Sequence, residues 1–272
     1  MMKLIALDLD GTTLNKDGQL TKEMTMAFEA AIAKGVHIVI ATGRVLSALP
    51  KDILKIKGIQ YVITSNGANI VDLKSRELIY TNFIKASAVE DVVRTLKKYD
   101  FMTESFTEGH AYIEKAVYED VQANGSVYNN TEYLLTTREP VENLLDHILQ
   151  HKDSIENINI NFEEQKERMM MKQVLISISN VSITSSFDYN LEICGMRTSK
   201  AEALRQLCAM LGFTTNEVMA CGDSHNDIEM LKEAGLPVAV GNAKDEVKAV
   251  AKYIVSTNEE NGVAEAIKRF IL

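Results

Sequence analysis

Residues 4–7 form an unbroken apolar run that turns abruptly polar at Asp8, Asp10 and Gly11. A run with no polar alternation suits a strand covered on both faces, as in a parallel sheet. Similar runs recur at 36–41, 61–64, 218–221 and 237–240, with a last one at 253–255. Between the first two, Met24, Phe28, Ala31 and Ile32 mark one face of a helix over 21–34, which Thr21 can cap and Gly35 can end. The pattern is a β-α-β unit. A second helix is predicted over 199–211: Ser199 and Glu202 have capping-box spacing, Leu204, Leu207, Cys208 and Leu211 follow at helical intervals, and Gly212 closes it. Residues 69–73 and 78–81 read as a hairpin, and 263–270 as a final helix.

The rhythm changes from about residue 83. A helix over 86–99 and strands over 101–106 and 111–114 are followed by a polar, poorly periodic stretch, 118–137, whose Asn124-Gly125 and Asn129-Asn130 pairs predict a loop. Helix from about 140, strand over 155–162 and helix over 163–176 come next, with 174–178 also compatible with a strand and Met169, Met170 and Met171 read as core packing. The fold class is therefore α/β. A Rossmann-like, doubly wound parallel core over 1–82 and 188–272 is expected to carry an inserted α+β domain over 83–187.

The chain's 272 residues suffice for two such domains, and 46% hydrophobic with 25% charged residues is ordinary for a globular protein. A formal charge of -9 argues against a general nucleic-acid binder, which needs clustered Lys and Arg. No apolar stretch is long enough to span a membrane. Cys194, Cys208 and Cys221 are odd in number and lack Cys-x-x-Cys spacing, so buried free thiols and a cytoplasmic setting are expected.

Chemistry gathers where the apolar runs end. Residues i and i+2 of an extended segment project to one side, so Asp8 and Asp10 can face one pocket, where their repulsion calls for a divalent cation or a shared proton. An ordinary Asp-x-Asp-Gly turn is the plainer alternative. The second run ends in Thr42-Gly43-Arg44, and the run over 218–221 leads into Gly222-Asp223-Ser224-His225-Asn226-Asp227. A calcium loop over Asp223, His225 and Asp227 fails because Ile228 stands where glycine is required, and His225 is expected to be merely exposed. Lys200 opens a helix, where a cation opposes the helix dipole; that favours anion binding over the alternative of a surface lysine.

Asp8-Leu9-Asp10-Gly11-Thr12, Thr42, Lys200 and Gly222-Asp223 with Asp227 together resemble the haloacid dehalogenase superfamily of phosphatases. Ala-Thr-Gly-Arg at 41–44, Ser-Asn-Gly-Ala at 65–68 and Gly-Asn-Ala at 241–243 are similar to its Cof-type branch, which carries a large α/β cap of the C2 type. Thr13, where that branch often has Leu, and Ala201, where Gly is usual, depart from the pattern without removing a reacting group. The resemblance implies Mg²⁺-dependent hydrolysis of small phosphorylated metabolites, sugar phosphates foremost, through an aspartyl-phosphate. It implies Asp8 as nucleophile, Asp10 as acid and base, and Thr42 and Lys200 as phosphoryl ligands. Gly43, Arg44, Asn66 and Asn226 would serve the substrate, and Asp8, the Asp10 carbonyl, Asp223 and Asp227 the metal. The cap, residues 83–187, would supply the leaving-group pocket. A phosphotransferase on the same fold and a noncatalytic phosphate sensor are the alternatives. The expected partner is a small phosphate ester, with neither nucleic acid nor membrane.

Overall fold

The computed structural model describes residues 2–128 and 130–272; Met1, and Asn129 of the expected loop, lie outside them. The chain divides into two units, one of Met1–Arg44, Leu49–Thr81 and Ser199–Leu272, the other of Val45–Ala48 and Asn82–Thr198. The first begins with β1 (Leu4–Leu7), β2 (His37–Ala41), β3 (Tyr61–Thr64), β4 (Asn69–Asp72) and β5 (Glu77–Thr81). The second holds β6 (Met102–Thr107), β7 (His110–Glu114), β8 (Arg138–Val141), β9 (Ile155–Asn161), β10 (Val181–Thr184) and β11 (Asn190–Gly195). The chain then returns to the first for β12 (Val218–Gly222), β13 (Leu236–Ala239) and β14 (Tyr253–Ile254).

Among the described residues the first unit's strands run β14-β13-β12-β1-β2-β3-β4-β5, parallel except at the β4 and β5 hairpin. Leu4, Ile5, Ala6 and Leu7 are wholly shielded, as their unbroken apolar run requires, and each Leu or Ile contributes about 1.5–3 kcal/mol by burial. Strand order reverses at β1, which pairs with β2 on one side and β12 on the other. Ligands of such sheets gather in the crevice at that reversal. The carboxyl ends of these three parallel strands lead into Asp8, Thr42 and Asp223.

The expected boundary at 187/188 is corrected to 198/199, because β11 hydrogen-bonds between β9 and β10 and so belongs to the second sheet, ordered β10-β11-β9-β6-β7-β8. Residues 45–48 also join the second unit: Val45 and Ala48 pack with Phe106 and Ala111. The loop expected over 118–137 is largely helical, with helices Lys115–Asn124 and Thr131–Thr137. Asn130 caps the second by accepting from Tyr133 N, and Val121 and Leu134 pack on Ile113. These helices bury too few residues to impose a visible period. β8 was expected as the start of a helix; as the outermost strand of its sheet it tolerates Pro140, and Asn143 caps the helix that follows, Leu144–Gln150. The packing expected of three methionines holds for Met171 alone, since Met169 and Met170 are 66% and 43% exposed on the outer side of the Gln165–Ile176 helix.

Candidate active site

Beyond β1 the backbone bends into a tight turn in which Thr12, Thr13 and Leu14 N–H groups all donate to Leu9 O. Gly11 stands in it at φ +81°, and a Cβ there would meet an Asp223 carboxylate oxygen at 2.7 Å. Only glycine allows that approach. Asp8, 6% exposed, is anchored through its backbone: its N–H donates to Cys221 O at 3.1 Å and its carbonyl accepts from Thr13 Oγ1 at 2.5 Å. Thr13, a departure from the branch pattern, thus holds the Asp8 backbone in place. Thr12 Oγ1 donates to Asp223 Oδ1 at 2.6 Å.

The helix Lys200–Leu211 is capped by Ser199 Oγ, which accepts from Glu202 N at 3.1 Å. Glu202 itself turns to Arg205 and Gln206, so only half of the expected reciprocal cap forms. At the start of the helix Lys200 is fully buried, and Nζ donates to Asp8 Oδ1 at 2.6 Å and to Asp227 Oδ1 at 2.8 Å. The surface-lysine alternative is excluded. Asp227 Oδ2 accepts from Asp223 N and Ser224 N, each at 3.0 Å, while the Ser224 hydroxyl donates to Asp223 Oδ2 at 2.9 Å. Carboxylate oxygens of Asp8, Asp223 and Asp227 lie within 4.8 Å of one another.

Burial pushes the Asp8 carboxyl well above the usual carboxylate range; Lys200 opposes this, and Asp227, Asp223 and Asp10 add to it. Asp223 is raised as well, by burial first and then by Asp227. Burial on its own would lower the Lys200 ammonium, but Asp227 and Asp8 outweigh it and hold it above the ordinary lysine value. One ammonium against three crowded carboxylates leaves negative charge uncompensated. That donor set fits a divalent, oxygen-loving cation such as Mg²⁺. Of the four residues expected at a metal, the side chains of Asp8, Asp223 and Asp227 are brought together. The Asp10 carboxylate is not: it receives Arg44 Nε at 2.8 Å and the second guanidinium nitrogen at 2.6 Å, leaving its backbone carbonyl as the expected contribution.

Thr42, 1% exposed, holds its loop from within, its Oγ1 accepting from Arg44 N at 3.1 Å and its carbonyl from Asn66 N at 3.0 Å. Asn66, at φ +57°, accepts from Asn226 Nδ2 at 2.9 Å, so two expected substrate residues bond each other. Gly43 lies in the same turn as Thr42 and Arg44. His225 is exposed, as expected. Thr12, Thr13, Ser224 and Asn242, whose Nδ2 donates to Gly11 O at 2.7 Å, complete the setting and had no role assigned from sequence. Thr12 and Asn242 were nonetheless inside quoted motifs, the usable clue.

The sequence profile of haloacid dehalogenase-like hydrolases matches residues 5–267. The chain belongs to that family. It is 36% identical to the Bacillus subtilis 5-amino-6-(5-phospho-D-ribitylamino)uracil phosphatase YcsE, covering 100% of this chain and 96% of the relative. Among solved structures, a haloacid dehalogenase-like hydrolase from B. subtilis superposes with a TM-score of 0.83 at 28% identity over 99% and 100% of the two chains. The subclass IIB sugar phosphatase BT4131 gives 0.79 at 25% identity over 98% of each. This haloacid dehalogenase-like hydrolase is a phosphatase of the Cof type, and none of its described helices is long and apolar enough to cross a membrane.

Raised carboxyls bind protons more tightly in the folded hydrolase than in the unfolded chain. Without metal, stability should therefore fall as pH climbs from the ordinary carboxylate range through the raised values of Asp8 and Asp223. Asp223→Asn removes part of that penalty and keeps one acceptor for Thr12 or Ser224. In chelator, its Tm should exceed the parent's by about 2–4 °C near about pH 8 and match it near about pH 4. An equal effect at both pH values would contradict the charge crowding.

Proposed function

We propose that this phosphatase is Mg²⁺-dependent and hydrolyses small sugar and polyol phosphates through an aspartyl-phosphate on Asp8. The observation that carries the proposal is the buried Lys200 ammonium, at the start of its helix, bonded to Asp8 and Asp227 beside Asp223, with Asp8 and Asp223 directly following the neighbouring parallel strands β1 and β12. Lys200 fixes one Asp8 oxygen and leaves the other to attack phosphorus in line. As that P–O bond forms, the bond to the leaving alcohol breaks and Asp10 gives the alcohol oxygen its proton. Water then attacks the acyl phosphate while Asp10 takes a proton back, and inorganic phosphate leaves. Arg44 grips both Asp10 oxygens and so orients this acid and base. Thr42 and Lys200 receive phosphoryl oxygens, with Gly43, Asn66 and Asn226 bounding the same loops. Asp8, Asp223, the Asp10 carbonyl and, nearby, Asp227 would hold Mg²⁺, which when bound neutralises charge between the nucleophile and the phosphate dianion.

The substrate class rests on relatives: YcsE is named for a ribitylamino ester and BT4131 for sugars. Both put a hydroxylated chain beside the phosphate. Selection among leaving groups is assigned to the second unit, acting as a cap. We place the enzyme in the cytoplasm, where free thiols such as Cys194, Cys208 and Cys221 persist. The test is phosphate release from a panel of sugar, ribityl, flavin and pyridoxal phosphates, with Mg²⁺ and after exhaustive chelation. Hydrolysis of polyol esters that chelation abolishes and Mg²⁺ restores is expected. Full activity in chelator would refute the metal, and phosphoryl transfer to a second sugar without free phosphate would favour a phosphotransferase.

A further inference from the structure

Gly11 sets a mechanical problem for the carbonyl that precedes it. Peptide units are planar, so the Asp10–Gly11 unit, which carries the Asp10 carbonyl, turns against its neighbours only about the dihedrals of Asp10 and Gly11. Glycine is the softest such joint. No stiffer residue can replace it, because a Cβ at φ +81° would meet an Asp223 carboxylate oxygen at 2.7 Å. On the amino side the adjoining unit is firmly held: Leu9 O accepts from Thr13 N and Leu14 N, both at 2.9 Å, and from Thr12 N at 3.3 Å. On the carboxyl side the N–H end of the Gly11–Thr12 unit rests on that last, long bond. Its carbonyl end is held from outside the turn, where Asn242 Nδ2 donates to Gly11 O at 2.7 Å.

Asn242 follows β13, which lies on the far side of β12 from β1. Its own place is fixed: Asn242 Oδ1 accepts from Asn258 N at 3.0 Å, Gly241 N donates to Ser256 O at 3.1 Å and Ala243 N to Val240 O at 3.0 Å. Two residues on, Lys244 N donates to Asp223 O at 3.0 Å. One short loop of the first unit thus grips the backbone of both turns that carry the expected metal ligands, at Gly11 in one and at Asp223 in the other. Of the consecutive carbonyls from Asp8 to Gly11, Asp8 O takes the Thr13 hydroxyl, Leu9 O three amides and Gly11 O the Asn242 amide. Asp10 O accepts no hydrogen bond among the described residues. The Asn242 side chain is exposed, and a hydrogen bond at the surface adds only modestly to stability. Its placement is better accounted for by what it aims.

We propose that Asn242 is a positioning residue: by holding Gly11 O it sets the direction of the Asp10 carbonyl, and its loop, through Lys244 N, keeps that carbonyl aligned with Asp223 so that both can meet one divalent cation. The inference rests on the Mg²⁺ reading above and deepens it. Two full-length variants test it. Asn242→Asp keeps an acceptor for Asn258 N but sets a carboxylate oxygen where the donor stood, and Asn242→Ala removes both. Added negative charge would by itself tighten a cation, so weaker binding by both variants reports geometry. Calorimetric titration with Mg²⁺ alone should give affinities about 10- to 100-fold below the parent's, the usual cost of losing a group that orients a metal ligand. The rise of Tm at a fixed Mg²⁺ concentration should shrink accordingly. In chelator, Tm should stay within about 2 °C of the parent's. At limiting Mg²⁺, kcat should fall by the same factor and recover as Mg²⁺ is raised to saturation, with KM for the ester unchanged. Should Asn242→Asp fail to fold, Asn242→Ala decides. Parental affinity in both variants, or a lower Tm in chelator without a change of affinity, would make Asn242 a structural residue; tighter binding by Asn242→Asp with Asn242→Ala unchanged would leave charge as its only effect. Each of these overturns the proposal. A parent protein that takes up no Mg²⁺ would sink the metal reading and this inference with it, whereas a responsive parent with equally responsive variants sinks this inference alone.

Discussion

Asp8→Asn is expected to lower kcat by at least about four orders of magnitude, the scale at which loss of a covalent nucleophile registers. The amide keeps the shape of the carboxyl and its carbonyl oxygen can still accept from Lys200 Nζ, so the fold should survive. It should even gain in metal-free solution at neutral pH, because burial and three neighbouring carboxylates oppose the charge that the substitution removes. The two readouts move in opposite directions, which separates loss of a nucleophile from unfolding. Turnover above about one per cent of the parent would defeat the assignment, and a large drop in Tm would mean that Asp8 is mainly a structural partner of Lys200. Trapping of a phosphorylated Asp8 in the parent protein, absent from the variant, would identify the covalent step directly.

Much of this centre was legible because parallel strands buried on both faces write themselves as continuous apolar runs, so the first polar residues after each run fall at one sheet edge. That logic found Asp8, Thr42 and Asp223 from position alone, and Lys200 from the helix cap before it. It could not find the Arg44 fork on Asp10, since direction of a side chain beyond a strand end depends on the turn that follows. Thr13 looked like a departure when read by pattern, and its hydroxyl proves to hold the Asp8 carbonyl. The second unit was harder to read. β11, Asn-Leu-Glu-Ile-Cys-Gly, falls where the rhythm of the first unit was expected to resume, and only its pairing with β9 assigns it to the second sheet. Helices Lys115–Asn124 and Thr131–Thr137 exist through contacts with Ile113 that no local period announces. The alternation of Asn157, Asn159 and Asn161 with isoleucine in β9 was visible as letters, but the burial of all three asparagines was not.

Lys200→Met should cost about 3–5 kcal/mol of stability in the metal-free protein, the usual penalty for stripping one partner from a buried ion pair. The ammonium is wholly shielded, its bonds to Asp8 and Asp227 are 2.6 and 2.8 Å, and both carboxylates would be left facing each other and Asp223. Methionine preserves the volume, so the loss would reflect charge and not a cavity. Activity should fall by about a thousandfold as well if, as proposed, the cation meets phosphoryl charge in the transition state. Lys200→Arg should not rescue either property, since a planar fork cannot occupy the compact position of an ammonium at 0% exposure. The decisive comparison is Lys200→Met/Asp227→Asn. Removing the orphaned carboxylate should recover most of the lost stability, because the carboxamide oxygen introduced in its place can still accept from one of the Asp223 and Ser224 amides that Asp227 now holds. It should recover none of the activity. Urea unfolding in chelator, with kcat/KM measured in Mg²⁺, would register both; additive stability losses in the double variant would show that Lys200 and Asp227 do not act as a pair.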